Sequence, residues 1–77
     1  MKALSVIIPV LDEAALVTEA LTALAPMRAR GAEVIVVDGG SRDGTAALAG
    51  PLADLVITAP RGRASQMNAG AVAAGGD

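Results

Sequence analysis

At 77 residues the chain has room for one small domain. It has no Cys and no His, which excludes disulfides, thiolate metal sites and histidine-dependent catalysis, and no Phe, Tyr or Trp, which leaves any core to Val, Ile, Leu, Met and Ala. Six Lys and Arg against eight Asp and Glu give a net charge of −2, which argues against a nucleic-acid surface.

Residues 3–10, ALSVIIPV, read as a short buried strand: apolar, β-branched and stopped by Pro9. Asp12 is placed to N-cap the helix that follows, with Glu13 in its first turn. Leu16, Ala20 and Leu24, with Val17 and Leu21, recur at helical spacing, and Pro26 is expected to end that helix near Ala25. MRARG, residues 27–31, reads as a basic last turn or connector. Residues 33–38, EVIVVD, form a second strand whose unbroken apolar run suits burial on both faces. After a glycine-rich loop, Thr45 to Ala49 form a short helix, broken by Gly50-Pro51. Residues 54–59, DLVITA, make a third strand ended by Pro60. Residues 62–74 begin with Gly-Arg and run rich in Ala, giving a third helix, with Gly75-Gly76 as its C-cap.

The order β-α-β-α-β-α predicts an open parallel α/β sheet in a single unit. No apolar run reaches membrane-span length, and Val6-Ile7-Ile8 meets Pro9 and acids too soon for a secretory signal, so the expected compartment is the cytoplasm.

In open parallel sheets, ligands bind beyond the carboxyl ends of the strands. Three segments fall there. In PVLDE, Asp12 or Glu13 is placed to touch a base or ribose, although capping alone also accounts for both. In DGGSRDGT, Asp38 ends a buried strand where it can accept from ribose hydroxyls, and Gly39 and Gly40 permit close approach to the backbone. An ordinary strand-to-helix turn, capped by Ser41 or Asp43, explains the same residues. In PRGRASQMNAG, Arg61 and Arg63 stand at a helix start that already favours anions, with Gln66 and Asn68 adding polar groups; the alternative is a solvated basic cap. Neither G-x-x-x-x-G-K-[ST] nor G-x-G-x-x-G is present, which disfavours a P-loop or a dinucleotide enzyme.

Taken in order, SVIIPVLDE, VIVVDGGSRDGT and GRASQMNAG resemble the N-terminal half of family 2 glycosyltransferases, of GT-A fold. More narrowly they are similar to a bacterial subgroup carrying DGGS and a GRAxQMN helix. The resemblance implies a nucleotide-diphospho-sugar donor at the carboxyl edge of a Rossmann-like half. It places Pro9, Leu11 and Glu13 at the base pocket, Asp38 and Gly39 near the nucleoside, Arg63 at the diphosphate, and Gln66 and Asn68 behind it. Gly39 stands where many relatives carry a second acid, and Leu11 where they carry an aromatic. A divalent metal, Mn or Mg, is implied for the full-length family member, on a D-x-D motif that follows the next strand; Asp77 precedes that strand. Residues 1–77 therefore read as one incomplete donor-binding domain, inactive alone and with no catalytic residue of its own. Two other readings stay open: a nucleotide- or phosphate-binding module without chemistry, and an α/β fragment that needs a partner or self-associates through its unpaired sheet edge.

Overall fold

The structure is a computed structural model that describes residues 4–74. Ala3, expected to open the first strand, and the cap expected at Gly75-Gly76 lie outside the described residues. Three strands, β1 (Ser5–Val10), β2 (Glu33–Asp38) and β3 (Leu55–Thr58), form one parallel sheet in the order β1-β2-β3. Ser5 pairs with Glu33, Val10 with Asp38, and Asp38 in turn with Thr58. All three carboxyl ends thus share one rim, as the alternating pattern requires.

The central strand is the most buried element. Val34, Ile35, Val36 and Val37 each have 0% exposure, so both faces of β2 are covered. A fully buried Val or Ile is worth roughly 1.5–3 kcal/mol, so this run anchors a molecule that has no aromatic residue. Alternation along the strands sends Val6, Ile8, Val10, Val34 and Val36 to one face. There they meet Val17 and Leu21 of α1 (Ala14–Thr22), together with Ala49 and Ala53. A short α2 (Ala25–Ala29) follows α1, and α3 (Thr45–Ala49) runs into a single 3-10 turn at Gly50–Leu52. The other face, including Ile7 and Val37, is covered by α4 (Arg63–Ala73). At Gly70 a Cβ would stand 2.3 Å from Cγ2 of Ile7 and 3.2 Å from Cγ2 of Val37. Close approach of small residues here replaces the bulk that aromatic side chains would supply.

Two local expectations, the end of the first helix and the start of the third strand, need correction. The first helix does not run to Ala25: α1 ends at Thr22, and Pro26 sits in the first turn of α2, where its missing N–H leaves no bond unmade. This second helix runs through Ala29, so MRARG does supply a basic last turn, at Arg28, and Gly31 at φ +100° turns the chain into β2. Asp54 lies before β3, not in it. Its carboxylate takes a two-pronged contact from Arg28 at 3.2 and 3.1 Å and accepts from the buried Val34 N–H at 2.7 Å. Arg28 also donates to the Leu52 carbonyl, so this clamp ties α2, β2 and the chain entering β3.

Among the described residues the outer edges of β1 and β3 are both unpaired. Leu4 O accepts from Glu33 N and Val10 O from Gly39 N, so the even-numbered backbone of β1 faces β2. Ser5, Ile7 and Pro9 turn their backbone outward at the β1 edge, where a proline is tolerated.

Candidate functional site

A cleft of about 190 Å³ opens on the carboxyl rim, lined by Pro9, Val10, Leu11, Glu13, Arg63 and Gln66. Small-molecule sites usually exceed roughly 300 Å³, so this cleft has room for only one end of a large ligand. The end of β1 forms one wall and the N-terminus of α4 the other. Gly62, at φ +137°, lets the chain enter α4 with Arg63 as its first residue. Arg63 is exposed and makes no ion pair within 4.0 Å among the described residues. An unpaired guanidinium beside the free N–H groups of a helix start is suited to a diphosphate. Glu13, across the cleft, is exposed and likewise unpaired with any cation.

The wall from Leu11 to Glu13 is built by a different loop. Asp12 has φ +50°, a left-handed conformation that costs about 1 kcal/mol for a non-glycine residue. The expected capping by Asp12 does not occur: Glu13 is the N-cap of α1, without a side-chain cap bond. Instead, three successive N–H groups donate to the second loop. Asp12 N donates to Ser41 Oγ at 2.8 Å, Glu13 N to Thr45 Oγ1 at 2.9 Å and Ala14 N to Asp43 Oδ2 at 3.0 Å. Asp12 answers by accepting from Arg42 N at 2.8 Å. Each hydroxyl is itself aimed: Ser41 donates to Asp38 Oδ1 and Thr45 to Asp43 Oδ1. The Thr45 hydroxyl, then the Ala14 N–H, hold the Asp43 carboxyl below its ordinary value of 3.8. Together these four bonds hold Asp12 in its left-handed conformation.

Gln66 forms the floor. Its amide is 5% exposed and donates to the carbonyls of Val10 and Val37 at 3.0 and 2.9 Å, across the last rung between β1 and β2. Its oxygen accepts from Gly62 N at 3.2 Å, which fixes the entry to α4.

The structure thus gathers Pro9, Leu11, Glu13, Arg63 and Gln66. It does not bring in the other three expected residues. Asp38 lies on the α1 and α3 side of the sheet, 3% exposed, with its carboxylate accepting from Gly40 N, Ser41 N and the Ser41 hydroxyl. Gly39 is buried beneath Gln66. Asn68 is exposed two positions beyond Gln66, about 200° around the helix and away from the cleft. Conversely, Ser41, Asp43 and Thr45 shape the site though none was assigned to it. A signal existed: each loop carboxylate is followed two or three residues on by a hydroxyl.

With this rim in view, the family comparison is decisive. The model of glycosyl transferase family 2 matches residues 5–77. The chain belongs to that family. Comparison with curated proteins and with solved structures gave no match. The three-stranded parallel sheet with helices on both faces is the Rossmann-like half of a GT-A fold. In this family 2 member the cleft lies at the carboxyl rim, where open α/β sheets bind ligands. No described helix is long and apolar enough to cross a membrane.

Proposed function

We propose that this chain is the donor-binding part of a family 2 glycosyltransferase of the DGGS/GRAxQMN branch, acting in the cytoplasm on a nucleotide-diphospho-sugar. The observation that carries the reading is the convergence of Glu13 and unpaired Arg63 on one cleft at the carboxyl rim. Pro9 and Leu11 supply an apolar wall for the base, Glu13 an acceptor for ribose or base N–H and O–H groups, and Arg63 the cation for the diphosphate. Gly39 and Gln66 shape the floor, and Asp38 acts from behind the loop.

A divalent metal, Mn or Mg, belongs to this proposal through the family. Among the described residues no group of three Asp, Glu, His or Cys side chains is placed to hold one. The described residues do not fit that role. The 77 residues bind donor and do not turn it over. Titration calorimetry with UDP, GDP, ADP and pyrophosphate tests the binding. A nucleoside diphosphate should bind more tightly than pyrophosphate, and Arg63→Ala should abolish the difference from background. Equal affinity for all four points to a general phosphate-binding module instead. Sugar transfer above blank, with Mn²⁺ and an acceptor extract, would refute the inactivity.

A further inference from the structure

We infer that Ser41, Asp43 and Thr45 are positioning residues for the cleft: they set ligand affinity by holding the Leu11–Glu13 wall in a strained binding conformation, without touching the ligand. This rests on the reading of the cleft given above. Asp12 at φ +50° would not keep that conformation by itself. The main chain on either side of it is held from outside its own segment, by donors and acceptors 29 to 32 residues away in sequence. No side chain of the wall caps α1. The wall's own contact, Leu11 N to Glu13 Oε1, is long at 3.4 Å, and the shorter bonds that hold its shape come from the second loop.

The arrangement is directional. Ser41 and Thr45 each donate their one proton to a carboxylate, Asp38 and Asp43. Their lone pairs are then left facing the N–H groups of Asp12 and Glu13. A hydroxyl without its carboxylate could rotate and drop the wall. Neither Ser41 nor Thr45 lines the cleft, and neither does Asp43. Their effect on a ligand passes through Leu11 and Glu13, whose positions they fix. Strain of this kind persists where surrounding bonds over-determine it, and a pre-shaped wall spares the ligand the ordering it would otherwise impose.

Ser41→Ala is the first test; it frees the exposed Asp12 N–H and also takes the hydroxyl from the buried Asp38 carboxylate, so protection at Ile35 to Val37 serves as the check that the fold survives. Asp43→Asn is the second, since one amide oxygen cannot serve Ala14 and the Thr45 hydroxyl together. Two readouts are needed: hydrogen exchange at the amides of Asp12, Glu13 and Ala14, and affinity for UDP, GDP and ADP. If the released wall occupies its binding shape about a tenth of the time, affinity falls about tenfold. Exchange at the three amides should quicken while the amides of Ile35 to Val37 stay protected. Arg63→Ala should do the reverse, losing affinity with exchange unchanged. Wild-type exchange at residues 12–14 in both variants overturns the inference, and so does faster exchange with unaltered affinity. A wild-type chain that binds none of the three diphosphates defeats the reading of the cleft itself, and the exchange rates then decide the wall alone.

Discussion

A Cβ at position 39 would stand 2.9 Å from Oε1 of Gln66 and 3.0 Å from its Cδ. Gly39 and Gln66 therefore occupy one space between them. The glycine is required by the amide above it. That amide cannot swing away without releasing Val10, Val37 and Gly62 together.

Gly39→Ala should accordingly lower stability by about 1–3 kcal/mol, the range for overpacking a buried site. Its φ is not left-handed, so the cost comes from the clash alone. In a Gln66→Ala background the same change should cost much less. Urea unfolding of the two single variants and the double variant measures this coupling, and strict additivity would contradict it.

Gly70→Ala tests the approach of α4. The added methyl meets a branched carbon of Ile7 at 2.3 Å, with no flexible end to yield. A loss of about 1–3 kcal/mol is expected, with α4 lifted from the sheet. Since Arg63 begins that helix, nucleotide affinity should fall as well. A stable variant of unchanged affinity would show that the helix accommodates the methyl elsewhere.

Asp54→Ala should be more damaging than Arg28→Ala, although both break the same ion pair. The pair is about a third exposed on each side and contributes at most about 1 kcal/mol. Removing Asp54 also strips the buried Val34 N–H of the acceptor at 2.7 Å, a further loss of about 1–3 kcal/mol. Thermal unfolding of both variants compares them directly.

Acid should act through Asp43. Its folded-state carboxyl lies below the ordinary value of 3.8, held there first by the Thr45 hydroxyl. A depressed acid stabilises the folded chain above its unfolded value and loses that contribution as pH falls through the folded value. The difference in unfolding midpoint between the wild type and Asp43→Asn should hold steady above pH 5 and shrink below about pH 4. A difference that grows on acidification would reverse the sign.

Much of the fold was legible because apolar periodicity reports burial. EVIVVD suits a strand covered on both faces, and all four of its central side chains are fully enclosed. Boundaries set by single residues were harder. Pro26 stops a helix or starts one according to what precedes it, and here Leu24 has already begun a new turn. The site was legible as a rim but not as a set of contacts. Arg63 and Glu13 sit on the cleft because strand and helix ends put them there. Asp38 and Gln66 have the chemistry of ligand groups, yet their polar atoms answer to the backbone around them. Residue type cannot distinguish these uses, since the bonds that decide between them span up to 56 residues of sequence.

The outward-facing proline of β1 has one more effect. A neighbouring chain that tried to extend the sheet along this margin would find amide donors at Ser5 and Ile7, then none at Pro9. Any such ladder would unzip before reaching the mouth of the cleft. Crowded copies of the chain could stick to one another at the far end of the margin while the pocket entrance stayed clear.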